Sequence, residues 1–379
     1  MNLHIWLKKV AFKLRGGVLT LRPQGHRVRG NVLLSHDTVA FFRDDYDPLN
    51  GHPNYWTAKQ FAQIFLDLGY VVDVIRATNR SFMPKKKYAY MLDVDENLGR
   101  LAPLLNKECV KIFHIAAAHW LFQNTAEYQR CLALQQRRGI TVFPRRTVQP
   151  SRSIENADIG AYYGNEFTRG TFEFAGKELF PIPVPLTHSY PSPKDKNFDA
   201  ARKNFLWFAG AGAVHKGLDL TLEAFAALPD HHLTICGKVG DADFLEAYKY
   251  ELGLPNIIRH GWVDIDSPAF EKIRSQSIGL VFPSCSEGAG QGGLVATHAG
   301  LIPIVSYETG ISVHDFGIVL RENTVNAIKE SVLYVSSMPT DELRRRAVAG
   351  WDHMRIHHSR DTFTNAFRAM MDMLEKRRE

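Results

Sequence analysis

The stretch VFPSCSEGAGQGGLVATHAGLIPIVS, residues Val281–Ser306, decides the fold. Two apolar runs of strand character, Ile278–Phe282 and Leu301–Val305, bracket it. Between them a glycine-dense loop, Glu287–Gly293, leads into a short helical piece, Leu294–Ala299. Strand, loop, helix, strand is one wind of a parallel α/β sheet. Gly288, Gly290, Gly292 and Gly293 strip the loop of side chains and predict bare backbone N–H groups at a helix N-terminus, where anions are favoured. One carboxylate, Glu287, stands at the mouth. An acid beside an anion cradle suits a ligand with phosphates on one side and hydroxyls on the other, as in a nucleotide-sugar.

A chain of 379 residues predicts two domains, each able to bury a core. The composition, 45% hydrophobic and 23% charged, is that of a globular protein and excludes disorder or collagen-like repeats. The net charge of +6 is spread out, and no RNP, zinc-finger or helix-turn-helix pattern occurs, so nucleic acid is not expected as a partner. Cys109, Cys131, Cys236 and Cys285 lack C-x-x-C spacing and read as buried free thiols of a reducing compartment. No apolar run is long enough to span a membrane, and no secretory signal is expected, which predicts a cytoplasmic location. Residues 1–15 put Leu3, Trp6, Leu7, Val10 and Leu14 on one helical stripe with Lys8, Lys9, Lys13 and Arg15 elsewhere. That segment is either an interfacial helix making peripheral contact with anionic lipid on the inner membrane face, or a helix packed on its own domain or a partner.

The first half reads as strand Asn31–Ser35, long loop to Tyr55, helix Trp56–Leu68 and strand Tyr70–Ile75. Strands Tyr88–Asp93 and Val110–Ile115, helices Leu98–Leu105 and Thr125–Arg138, short strands Ile140–Val142 and Ala157–Tyr162, and a helix from Asn165 follow. Ligands of doubly wound folds lie outside the carboxyl ends of strands. That rule makes His36, His52, Asn54 and Tyr55 acceptor-side candidates and puts His119 at the cleft. A proline-rich link, PIPVPLTHSYPSP, marks the boundary. The pattern then restarts: strand Phe205–Ala209, the turn GAGAVHKG over Gly210–Gly217, helix Leu218–Ala227, and strand Leu233–Cys236 ending in Gly237. Helices Phe244–Leu252 and Ala269–Gln276 flank strand Ile257–His260. After the opening stretch come helix Val325–Val335 and one long helix, Trp351–Glu379. The expected layout is a first domain over 1–185, a linker over 186–203, a second domain over 204–350, and a C-terminal helix over 351–379.

Gly210 and Gly212 follow a strand and precede a helix, so Lys216 can reach a phosphate held at the cleft; a lone Gly-x-Gly is a weak signal. The pairs Asp93–Asp95 and Asp241–Asp243 are short, and no His/Cys cluster has zinc spacing, so no metal is expected.

FLWFAGAGAVHKGLDLTLEAF, LTICGK, IIRHGWVD and SEGAGQGG…HAGLIPIVS together resemble the C-terminal domain of the retaining group-1 (family 4) glycosyltransferases of the GT-B fold, over roughly residues 204–335. The resemblance implies two Rossmann-like doubly wound parallel-sheet domains facing a cleft, with the last helix crossing back to the first. It implies a nucleoside-diphosphate sugar as co-substrate, no required cofactor, and a glycan or lipid-linked acceptor, as in cell-surface polysaccharide or glycolipid synthesis. It also assigns roles. Lys216 resembles the lysine on the donor diphosphate, Glu287 the first glutamate of E-x7-E that holds sugar hydroxyls, and His119 the N-domain histidine near the donor sugar. Gly237, Ser286, Gly288, Gly290, Gln291, Gly292, Gly293 and Leu294 belong to the donor-binding set. Two positions depart from the family. Val295 stands where a second glutamate holds the ribose, and Ala211 where an arginine meets the diphosphate; His215, Lys238, Arg259 and Arg274 are candidates to compensate. These departures keep two alternatives open, a nucleotide- or carbohydrate-binding protein without catalysis and a nucleotide-sugar epimerase.

Overall fold

The computed structural model describes residues 12–14, 16–25, 27–42 and 53–378. The basic segment 1–15, apart from residues 12–14, and His52 lie outside the described residues. None of the described helices is long and apolar enough to cross a membrane.

The first sheet contains β1 (Val18–Leu21), β2 (Gly30–His36), β3 (Tyr70–Arg76), β4 (Tyr90–Asp93), β5 (Val110–Ile115), β6 (Ile159–Tyr162) and β7 (Glu178–Pro181). Their order is β1-β3-β2-β4-β5-β6-β7, and all pairings are parallel except β1 on β3. Helices α1 (Pro53–Asp67), α2 (Asn97–Leu101), α3 (Trp120–Arg138) and α4 (Glu166–Gly170) lie in the connections. The second sheet contains β8 (Asn204–Ala209), β9 (His232–Gly237), β10 (Ile257–Gly261), β11 (Gly279–Phe282), β12 (Ile302–Val305) and β13 (Ile318–Val319) in the order β10-β9-β8-β11-β12-β13, wholly parallel. Its helices are α5 (Leu218–Ala226), α6 (Ala242–Ala247), α7 (Pro268–Gln276), α8 (Gln291–His298) and α9 (Val325–Ser337); α10 (Thr340–His357) and α11 (Arg360–Lys376) close the chain.

The central strands read as continuous apolar runs because both faces are covered. Every residue of β4, β11 and β12 is buried. In each sheet the strand order reverses beside the domain's first parallel strand, between β2 and β4 and between β8 and β11. These two points are where an open α/β sheet leaves a crevice at its carboxyl edge. The two expected doubly wound domains are therefore present.

Several local expectations are corrected. The antiparallel edge strand β1 was not foreseen: its four residues are all half-buried and its partner lies 53 residues on. Residues 140–142 form no strand; Val142 is buried, but its neighbour Phe143 gives its N–H to Asp243 Oδ2 (2.8 Å) rather than to a ladder. α3 begins at Trp120, five residues before the expected start, and α6 stops at Ala247 instead of Leu252. α8 starts at Gln291, so Gly292 and Gly293 are helical. The link over 186–203 is packed rather than free: Leu186, Tyr190, Phe198 and Ala201 are buried, and Trp351 Nε1 donates to the Tyr190 carbonyl (2.8 Å). The single helix expected over 351–379 is two helices. Ser359 breaks it by accepting the Thr362 N–H (3.0 Å) as the N-cap of α11.

α11 crosses back to the first domain. Phe363 and Phe367 pack on Phe61, with ring centroids 5.3 and 4.7 Å apart. Beyond them Glu375 is nearly buried and accepts the hydroxyls of Tyr70 (2.8 Å) and Tyr90 (2.5 Å) while pairing with Arg29 (2.5 Å). Burial and the bond to Glu375 push the Tyr70 hydroxyl up to about 12. Removing this carboxylate leaves three donors unmatched. Glu375→Ala is expected to lower unfolding stability by about 2–3 kcal/mol in urea titrations; a loss under about 0.5 kcal/mol would contradict the assigned role.

His36 and His114 sit beside Phe61 in the same core, at 5.9 and 5.1 Å between ring centroids. Burial, then the nearby His114, pushes the His36 pKa down to about 3. Burial pushes His114 down to about 4 against an opposing backbone bond at Ala161. Unfolded histidines take up protons near pH 6.5 while these two stay neutral, so their stabilisation is complete above that pH and is lost on acidification towards the folded values. Between pH 7.5 and 5 the unfolding free energy from urea titrations should fall, by on the order of 1–2 kcal/mol per histidine, and His114→Phe should flatten the profile. An unchanged slope in that variant would refute it.

Candidate functional site

The site gathers at the carboxyl edge of the second sheet, at its switch point. The turn after β8 and the loop after β11 meet there. Gly217 has φ +73°, and a Cβ on it would lie 2.4 Å from the Pro283 carbonyl oxygen, so the turn can approach the loop only with glycine at this position. The Cys285 N–H donates to the His215 carbonyl (2.9 Å), tying loop and turn together.

Lys216 Nζ donates to Glu287 Oε1 within this junction, and both side chains are nearly buried. Ser284 Oγ donates to the same oxygen (2.6 Å). Oε2 makes no hydrogen bond among the described residues, and the lysine keeps further N–H donors. Burial pushes the Glu287 carboxyl up, but Lys216 and His215 outweigh it, and the pKa ends below the usual carboxylate value. Glu287 is therefore held as the carboxylate, and its second oxygen is not engaged by any described residue.

The glycines play a different part from the one expected. A Cβ at Gly290 would meet Phe282 at 2.6 Å, one at Gly292 the Phe208 carbonyl at 2.6 Å, and one at Gly293 the Ile311 side chain at 2.4 Å. They are needed chiefly for close packing. Of the backbone amides, Glu287 donates to Glu308, Gly290 to Thr309, and Gly293 and Leu294 to Gly290. The Gln291 and Gly292 amides, at the start of α8, find no acceptor among the described residues. The Gly288 and Ala289 amides likewise find none, while those of Gly290, Gly293 and Leu294 are spent within the fold. Gly237 is likewise a packing glycine, since its Cβ would lie 2.0 Å from the Ala209 carbonyl oxygen. Gly210 is exposed at the strand end, and the Ser286 carbonyl meets His215 Nε2 (2.7 Å).

The first domain reaches this loop directly. The Ala118 N–H donates to the Glu287 carbonyl (3.2 Å), and Thr168 Oγ1 donates to the Gly288 carbonyl (2.5 Å). Glu127 on α3 faces His215 Nδ1 (3.6 Å). Arg130 donates to the Pro283 carbonyl (3.1 Å). Glu127, Arg130 and Thr168 were not foreseen, because no local pattern marks a residue that acts across a domain boundary; Ser284, in the same loop as Glu287, was not singled out either.

The other predicted residues are placed apart. The His119 ring lies against Phe172 (5.4 Å) and Phe174 (4.9 Å), while the His119 backbone N–H donates to Thr171 Oγ1 (3.1 Å); the contact with the loop is made by the preceding residues, Ala116 and Ala118. Burial lowers its pKa. His36 is buried, accepting the Asp37 N–H at Nδ1 (2.6 Å). Asn54 and Tyr55 belong to the first turn of α1 rather than to a loop. Val295 is 8% exposed and belongs to the core of α8. Among the candidates to compensate, Arg274 is taken by Glu271 (2.6 Å), Lys238 rests on Trp262 (5.1 Å), Arg259 meets the Val239 carbonyl (3.5 Å), and His215 is buried. Asp93 accepts the Leu98 N–H in the first turn of α2 (2.7 Å), and Asp241 and Asp243 pair with Arg145. No group of three or more metal-ligating side chains occurs among the described residues.

The ion pair is open to a double-mutant test. Lys216→Met should destabilise the chain by about 3–5 kcal/mol by stranding a buried carboxylate, and adding Glu287→Gln should recover most of that loss. Strictly additive effects in urea titrations would show that the two groups are not coupled.

Residues 192–350 match the family model of the group 1 glycosyl transferases. No curated protein matched the chain. Among solved structures it is similar to sucrose-phosphate synthase from Thermosynechococcus elongatus, with 15% identity over 92% of this chain and 100% of that one and a TM-score of 0.60. Anabaena HepE, seen with UDP and glucose, gives 10% identity over 91% and 99% and a TM-score of 0.58. A UDP-forming trehalose-phosphate synthase from Burkholderia xenovorans gives 12% identity over 88% and 82% and a TM-score of 0.53. Residues 192–350 are thus similar to a group 1 glycosyl transferase domain, and the whole chain has the two-domain GT-B fold.

Proposed function

We propose that the chain is a retaining glycosyltransferase that works without a metal, moving a sugar from a nucleoside-diphosphate donor to a hydroxyl of a glycan or lipid-linked acceptor. The observation that carries this reading is the Lys216–Glu287 pair at the switch point, with Glu287 Oε2 and further lysine N–H groups unused among the described residues. The sugar's hydroxyls meet Glu287 Oε2. The diphosphate meets the Gln291 and Gly292 amides at the start of α8 and shares the Lys216 ammonium. The acceptor oxygen bonds to the anomeric carbon on the face from which the diphosphate departs. The bond from that carbon to the phosphate oxygen breaks, its electron pair stays on the phosphate, and the acceptor's proton moves to the same phosphate. Lys216 and the amides stabilise the charge that develops on the leaving group. Contact of Ala118 and Thr168 with the loop limits the access of water.

Incubation with UDP-, GDP- and dTDP-sugars and a panel of hydroxyl acceptors should give a glycoside of unchanged anomeric configuration by NMR. Glu287→Gln should reduce kcat by about 100-fold or more. An inverted product would remove the retaining mechanism. Nucleotide binding without transfer would favour a binding protein, in keeping with the core position of Val295. Isomerisation of the donor without acceptor would favour an epimerase.

A further inference from the structure

We infer that Arg146, a residue of the first domain, supplies the cation that neutralises the donor diphosphate from across the domain boundary. This rests on the donor-site reading above. A diphosphate brings several negative charges, and the charge of Lys216 is already balanced by Glu287. Ala211 and Gly212, in the turn that should face the phosphates, carry no charge. The neighbouring cations are committed elsewhere. Arg130 holds the Pro283 carbonyl (3.1 Å) and lies 3.8 Å from Asp219. Arg145 is paired with Asp241 (3.4 Å) and Asp243 (3.1 Å).

Arg146 differs from its neighbour. Its backbone is fixed on both sides: Glu127 accepts its N–H (2.8 Å), and Gln123 Nε2 donates to its carbonyl (2.6 Å). Its side-chain stem lies over the turn so closely that a Cβ on Gly212, at φ +93°, would come within 2.4 Å of Arg146 Cγ. The carbonyl of that same glycine accepts the Lys216 N–H (2.9 Å). The residue is exposed, and its guanidinium has no hydrogen bond or ion pair among the described residues. A planar cation with several unused N–H donors, on an anchored backbone at the turn beside Lys216, fits bidentate recognition of a phosphate. Glu127 thereby acts as a positioning residue, since its carboxylate holds both the Arg145 and Arg146 amides.

The test is calorimetric titration of the full chain with UDP, GDP and dTDP and with the matching monophosphates. In the wild type the cognate diphosphate should bind more tightly than its monophosphate. Arg146→Met keeps the stem over Gly212 and removes the charge; it should weaken the diphosphate about 10- to 100-fold and bring the ratio of the two affinities towards one. Arg146→Lys should fall between Arg146→Met and the wild type, because it keeps the charge and loses the planar fork. Arg145→Ala should leave the ratio unchanged. Wild-type affinity in Arg146→Met, an equal loss for both nucleotides, or the same collapse in Arg145→Ala would overturn the assignment to Arg146 and leave the donor-site reading standing. If the wild type binds none of the three diphosphates, the donor-site reading fails and this inference with it.

Discussion

The carbonyl of Gly288 is the point on which the two domains close. It accepts the Thr168 hydroxyl, and a Cβ on Gly164 or on Gly310 would lie 1.9 or 2.1 Å from it. On Gly288 itself a Cβ would lie 2.2 Å from the Ala116 carbonyl oxygen. Three glycines from three separate loops therefore converge on one peptide, and none can gain a side chain without moving backbone. Glu287, one residue earlier, is held by the same clasp through the Ala118 N–H. The position of the carboxylate relative to the first domain follows from backbone packing between domains and not from the loop alone.

Around this backbone contact the domain boundary is strongly polar. α3 carries Glu127 to His215, Arg130 and Arg137 to Asp219, and Arg138 to Glu251. Asp219 is fully buried, and burial raises its pKa despite the two arginines. Buried pairs of this kind add little net stability over apolar packing, but breaking one partner is costly. They select one relative placement of the domains. A polar boundary of this composition resembles a transient interface more than a fused core, which is compatible with opening and closing around a substrate. The permanent attachment is elsewhere, in α11, whose phenylalanines and Glu375 are built into the first domain.

The parallel winds were legible because a strand covered on both faces must be apolar throughout, and a run such as Leu280–Phe282 admits few other readings. The placement of Lys216 and Glu287 was legible for a related reason: the turn or loop between a strand and its following helix puts its residues at the carboxyl edge. What escaped had its cause far away in sequence. β1 is defined by β3, the short strand expected over Ile140–Val142 does not form and the next residue, Phe143, gives its N–H to Asp243, and Thr168 matters only because Gly288 arrives beside it. The break at Ser359 did have a local sign, a serine three residues before Thr362, masked by the continuous apolar stripe on either side. The glycines illustrate the opposite error. Their density suggested exposed amides, whereas steric contact with Phe282, Phe208 and Ile311 accounts for most of them.

The Lys216–Glu287 pair is not one that stability alone would select. Two apolar side chains of similar volume would fill the junction at no greater cost, since desolvating both charges offsets most of their attraction. A purely structural pair would also use both carboxylate oxygens. Here Oε1 takes the lysine and Ser284, and Oε2 is left over. The arrangement fixes the carboxylate and keeps it ionised before any ligand arrives, so orientation of an incoming hydroxyl requires no further ordering. Val295 fits the same logic from the other side. A carboxylate on the buried face of α8 would need a partner whenever the site stood empty, and valine needs none. Polar groups at this edge are thus confined to positions where the fold already satisfies part of each and leaves the remainder facing the cleft.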